Sequence, residues 1–121
     1  MNETINELSQ ILIKALTNKT KMKYFLKNVF DLDDNIKVLA ITRKNSIDSL
    51  NGFIEINHHL FKFSTTLFQI NDIVKITVEL ARGNDFIRAQ FEVNLVLFNN
   101  ENSICLLDPV TNDYDFCTEV K

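Results

Sequence analysis

The sequence predicts a mainly β protein, a small antiparallel β-barrel with an N-terminal amphipathic α-helix, and three observations carry that expectation. From Gly52 to Leu97, apolar and polar residues alternate through successive runs, which is the period of strands with one buried face. Polar clusters at Asn71-Asp72, Arg82-Gly83-Asn84-Asp85 and Asn99-Asn100-Glu101-Asn102 punctuate those runs at hairpin spacing. Ahead of them, residues 3 to 17 carry apolar side chains three and four apart, the period of a helix with one apolar face. The chain has 121 residues, a length that suits one core. Residues 1–18 read as the helix and 19–121 as a single barrel domain.

The helix places Ile5, Leu8, Leu12, Ala15 and Leu16 on one face, with Asn6, Gln10 and Lys14 elsewhere. Thr4 and Glu7 have capping-box spacing and mark its expected start. Such a face packs on its own sheet, in a groove of another protein or against a second copy of the chain, and periodicity does not choose among these. Thr17 to Thr20 ends the helix without a Gly or Pro stop. Lys21 to Phe30 is ambiguous, because Met22, Phe25, Leu26, Val29 and Phe30 fit a helical stripe while a first strand near Phe30 is equally readable.

The acidic turn Asp31 to Asn35 leads into the β-rich run Ile36 to Thr42. Asn45 to Asn51 is a polar connection, Gly52 opens a strand through Asn57, and a short strand Phe61-Lys62-Phe63 follows. Val74, Ile76, Val78 and Leu80 then share one face while Lys75, Thr77 and Glu79 share the other. Ile87, Ala89, Phe91, Val93, Leu95 and Leu97 alternate with Arg88, Gln90, Glu92 and Asn94, giving a long antiparallel hairpin. Ser103 to Leu107 is a further strand, and the tail after Pro109 reads as a closing strand or a short helix. Closing the meander would remove its exposed edges.

Composition narrows the function classes. Hydrophobic residues are 45% and charged residues 24%, an ordinary globular balance that permits a core. Ten Phe and no Trp predict dry, Phe-based packing. A formal charge of −3 argues against nucleic acid as a partner, since that affinity rests on neutralising phosphates. Lys14, Lys19, Lys21, Lys23 and Lys27 read as a solvated basic segment. No apolar run approaches the ~18 residues of a membrane span, and MNETINELSQ lacks the character of a signal peptide, so a cytoplasmic location is expected. Cys105 and Cys117 have no second pair to complete a zinc site and read as reduced thiols in that compartment.

The order of elements, and two short segments, resemble a PilZ domain. Glu55-Ile56-Asn57-His58-His59-Leu60, followed by Phe61-Lys62-Phe63, stands where that family has its D/N-x-S-x-x-G motif and next strand; here Glu, Asn and Leu occupy the three signature positions. Lys23-Tyr24-Phe25-Leu26-Lys27 stands where the family has R-x-x-x-R. Leu67-Phe68-Gln69-Ile70-Asn71-Asp72-Ile73-Val74 is similar to the apolar segment before the family's next strand. The resemblance spans about Lys23 to Leu107 and implies a nucleotide site at Lys23, Lys27, Arg43, Glu55 and Asn57. Lys in place of Arg exchanges a planar, multi-donor group for a point charge, and Leu60 in place of Gly adds a side chain where backbone would approach a ligand. Cyclic di-GMP affinity is therefore expected to suffer.

PilZ-like chains without these signatures are similar to interaction modules of type IV pilus, flagellar or other signalling assemblies. The leading expectation is a noncatalytic adaptor with a protein partner. Its contact residues would be Leu8 and Leu12 of the helix, or an exposed strip at Phe61, Phe63, Leu67 and Phe68. A cyclic di-GMP or other anionic-nucleotide sensor and a phage or mobile-element inhibitor are the alternatives. Catalytic readings are weak. Adjacent His58 and His59 on a strand would point apart and grip no common metal. Ser49, Asp48 and His58 lack a nucleophile elbow, and Glu55, Glu79 and Glu92 lie on polar strand faces. With only Gly52 and Gly83, no phosphate-cradling loop is available, and no cofactor is expected.

Overall fold

The computed structural model describes residues 2–43 and 48–120, and in it the alternating runs become seven strands paired antiparallel in chain order. Two helices, α1 (Asn2–Leu16) and α2 (Lys19–Phe30), precede β1 (Ile36–Arg43), β2 (Ser49–Ile56), β3 (His59–Ile70), β4 (Ile73–Arg82), β5 (Asp85–Phe98), β6 (Glu101–Leu107) and β7 (Tyr114–Glu119). The sheet curls into a half-barrel, and among the described residues β1 does not pair with β7. Instead α2 touches both terminal strands and fills the seam between them. The expected closure by hydrogen bonds is thus replaced by closure with a helix.

Side chains alternate as the sequence pattern requires. Leu50 and Ile54 of β2, Phe63 of β3, Val78 of β4, Phe91 of β5 and Ile104 of β6 face inward and are buried. From α2, Phe25 enters this core and meets Phe91 and Phe116 edge-on, at centroid distances of 6.1 and 5.6 Å. Leu12, Ile13 and Leu16 of α1 are also buried, so this helix lies on its own sheet. The Phe residues divide: Phe25, Phe63 and Phe91 are core, whereas Phe53, Phe86 and Phe98 are exposed. Phe packing is therefore only partly internal, a departure from the composition-based expectation.

Local chemistry explains where other expectations are corrected. Lys19 to Phe30 is helical because the Asn18 side chain caps it, accepting from Thr20 N at 2.9 Å and Lys21 N at 3.1 Å. Asp31 in the left-handed region ends it, with Leu32 N donating to Lys27 O. The helix α1 begins at Asn2, ahead of Thr4, so the capping-box pair lies inside it. β2 starts at Ser49 rather than Gly52, and β3 runs for 12 residues instead of the short piece at Phe61 to Phe63. Within the polar connection, residues 45–47 lie outside the described residues. After Pro109 the chain turns back as strand β7. Asp108 accepts from Val110 N and Asn112 N, and Asn112 takes a positive φ.

That last turn sets Cys105 directly opposite Cys117, and the two form a disulfide with a Cα–Cα distance of 4.1 Å. The reduced-thiol expectation is corrected by this register, which linear spacing does not display. The β4–β5 turn has Gly83 at positive φ, whereas two other hairpin turns use Asn where glycine would be the common choice. Asn57-His58 and Asn99-Asn100 all have positive φ, the arrangement of two-residue hairpin turns whose twist matches the strands.

Gly52 is the one glycine fixed by packing. A β-bulge between Val38 and Ala40 brings the Ala40 carbonyl close, so that a Cβ at Gly52 would meet that oxygen at 2.1 Å and the Phe63 ring at 2.4 Å. Gly52→Ala is expected to destabilise the fold by roughly 1–3 kcal/mol, the usual cost of overpacking, read as a lower urea midpoint. The inward Thr65 is fully buried and its hydroxyl has no hydrogen-bond partner. Thr65→Val should raise stability by about 1 kcal/mol, since it removes an unpaired polar group at nearly constant shape; an unchanged or lower midpoint would contradict the burial of a free hydroxyl.

Candidate functional site

Two regions gather candidate side chains, the Asn57-His58 turn and the outer face of β2 to β5. At the turn, Asn57 N donates to Asn35 O at 3.1 Å, while the Asn35 side chain donates to Asn57 Oδ1 at 3.1 Å. The Lys27 ammonium bonds Asp34. Lys23, one turn earlier on α2, is near enough for its charge to act on Asp34. Lys23, Lys27 and Asn57 therefore lie around the Asp33-to-Asn35 segment. Glu55 faces Lys37 across the β1–β2 ladder. Arg43 stands apart at the far end of β1, seven residues from Ile36 and hence roughly 23 Å along the strand. There it donates to Gln10, whose amide donates to Asp48 at 2.9 Å.

Charge pairing fixes the electrostatics of the turn. The hydrogen bond to Asp34 and then its charge hold Lys27 above the ordinary lysine value, and the same partner interactions hold Asp34 below the ordinary carboxylate value. Asp34 loses its contribution to stability as pH falls through its lowered folded pKa. Lys27 loses its own as pH rises through its raised one. Both groups are open to water, so the pair orients the turn more than it strengthens the fold.

The proposed contact strip is corrected by burial. Phe63 and Leu67 point inward and are buried, and Leu12 is sealed beneath α1, so none of the three presents a free surface. Phe61, Phe68 and Leu8 are half-buried, and Phe61 carries the Arg82 guanidinium 5.6 Å from its ring centroid. The strip mixes both faces of β3 because Phe61 and Phe63 alternate with Lys62 and share the inner face with Leu67, whereas Phe68 lies outside.

The outer face of the sheet carries the residues that sequence reading missed. Phe53, Lys62, Ala81 and Phe86 are register partners in one row across β2 to β5. Strand spacing puts Phe53 and Phe86 roughly 14 Å apart. Leu60 is diagonal to Phe53, and all three apolar side chains are exposed. Beside them runs the row Thr42, Asn51, Ser64, Glu79 and Arg88, in which Arg88 donates to Glu79 through Nε and an Nη at 3.2 and 2.8 Å. Arg88 also sits 5.3 Å from the Phe86 ring centroid. A shallow cleft of about 420 Å³ opens between the rows, lined by Asn51, Phe53, Lys62, Ser64, Glu79 and Ala81 among others. Lys62 makes no ion pair among the described residues. The available signal was the register: Phe53 and Phe86 take the polar parity of alternating strands.

Among the described residues no group of three His, Cys, Asp or Glu is placed to hold a metal ion, and no helix is long and apolar enough to cross a membrane. Comparison with family models, with curated proteins and with solved structures gives no match to this chain.

One titratable group departs from its usual behaviour outside the turn. Partial burial, followed by the charges of Asp108 and Asp113, pushes the Asp115 carboxyl up. A folded-state pKa above the unfolded one means that the protonated form favours the fold; that advantage is present in acid and is lost as pH rises through the raised value. Asp115→Asn should therefore raise the melting temperature at neutral pH, with the gap to the natural chain closing as pH falls below the ordinary carboxylate range. A gap independent of pH would rule out this charge repulsion.

Proposed function

We propose that the chain is a noncatalytic adaptor, PilZ-like in its hairpin order, that acts by binding another protein through the outer face of β2 to β5. The observation that carries this reading is the exposure of Phe53, Leu60 and Phe86 together on one sheet face, with Lys62 and Arg88 beside them. Large aromatic side chains with arginine at hand are the composition of energetic hot spots in protein interfaces. The Lys62 ammonium, which makes no ion pair among the described residues, suits a partner with a carboxylate beside its apolar contact residues.

At the Asn57-His58 turn, Lys27 is engaged by Asp34 and Asn57 by Asn35. A nucleotide would have to displace both pairs before gaining contacts. This supports the adaptor over the cyclic di-GMP sensor.

Calorimetry with cyclic di-GMP up to about 1 mM, where binding is worth only about 4 kcal/mol, should give no saturable heat. Micromolar binding lost in Lys27→Ala would overturn the adaptor in favour of the sensor. In parallel, the doubly substituted chain Phe53→Ala with Phe86→Ala should stay folded, because both positions are exposed, and should lose proteins that the natural chain captures by crosslinking. Capture unaffected by the double substitution would remove this face as the contact.

A further inference from the structure

Strand β5 changes neighbour along its length. Asp85 to Glu92 pair with β4, and Glu92 to Phe98 pair with β6, so Glu92 alone has a partner on both sides among the described residues. Each half therefore has one open edge. The first half is guarded as natural edges are, by the charged Asp85 and Arg88. From Val93 to Phe98 no residue is charged, and none is proline.

Register identifies which backbone groups face the opening. Val120 N donates to Asn102 O, which makes 102 and 120 a hydrogen-bonded pair of the β6–β7 ladder. Counting along the alternation makes Cys105 and Cys117 a non-hydrogen-bonded pair, in agreement with their short Cα–Cα separation of 4.1 Å. The backbone N–H and C=O of Cys105 must then point to β5, where its partner is Asn94. Asn94 and Val96 thus bond β6, whereas the N–H and C=O groups of Leu95 and Leu97 point away from it, into the open side. Their side chains are 50% and 64% exposed, although they stand on the inner face beside the fully buried Ile104.

We propose that this edge pairs antiparallel with the same edge of a second copy of the chain, about a two-fold axis at Val96. Leu95 of each copy then exchanges two backbone hydrogen bonds with Leu97 of the other, and the two leucine side chains cover each other. Val96 meets Val96, and Phe98 meets Asn94 on the outer face. An isologous contact must be complementary to itself, and this segment meets that demand. It brings no like charges together, satisfies main-chain donors with acceptors of the same strand, and joins two half-barrels into one continuous sheet. A charged edge, as in the first half of β5, would not do so. The dimer goes beyond the adaptor reading and uses a different surface, so neither depends on the other.

Sedimentation equilibrium of the full chain over a concentration series tests the contact. The natural chain should approach twice the monomer mass as concentration rises, and Leu97→Lys should shift dissociation at least tenfold toward monomer. A monomer at every concentration, or a dimer unaffected by Leu97→Lys, would overturn the proposal. Should that variant fail to fold, amide hydrogen exchange of the natural chain decides. The Leu95 and Leu97 amides should gain protection with concentration, while those of Asn94 and Val96 stay protected throughout. Exchange at Leu95 and Leu97 that ignores concentration also overturns it. A protected edge in a chain of monomer mass would show an intramolecular cover instead of a second copy.

Discussion

The contact of Phe25 with Phe91 and Phe116 is the constraint on which the rest of the structure depends. An antiparallel meander of seven strands has two terminal edges, and among the described residues these do not pair. A helix placed between them must supply both apolar cover and a fixed position. Phe25 does so by reaching from α2 to β5 and β7 at once, edge-on to two rings, where each such pair adds to ordinary burial. The caps at Asn18 and Asp31 set the length of α2, so that Met22, Phe25 and Leu26 fall on the seam.

Much of the sheet was legible in the residues. The alternation of β4 and β5 predicted their inward faces, and the Asn- and Gly-bearing turns predicted the hairpins. The helical stripe of α2 was equally visible but competed with a strand reading, because the decisive signal, the Asn18 cap, is a single residue. Partner exchange at Glu92 could not be read, since period-two patterning reports which face is buried and nothing about which neighbour a strand has. The same limit hid the disulfide, because Cys105 and Cys117 become opposite only once the turn from Asp108 to Asn112 sets the register.

The candidate site was less legible for a related reason. Motif comparison drew attention to the hairpin tip, whereas the exposed aromatic residues lie along the strands. Phe53 and Phe86 come together only through three successive strand pairings. Apolar residues at polar parity are the trace that such a surface leaves in a sequence, and here they were masked by the expectation that Phe belongs inside.

Chain-order pairing also bears on how the molecule assembles. Every ladder joins strands that are adjacent in sequence, so each can zip from its own turn at small loop-closure cost, and the left-handed Asn turns bias those starts. The contacts of α2 with β5 and β7 are the exception, because they join elements far apart in the sequence. Such non-local contacts are the slow ones to form. The half-barrel is thus a structure whose strands are cheap to pair and whose seam is the late, distant step, and a nascent chain would carry its closing helix α2 from the start, with the seam left open until β7 emerged.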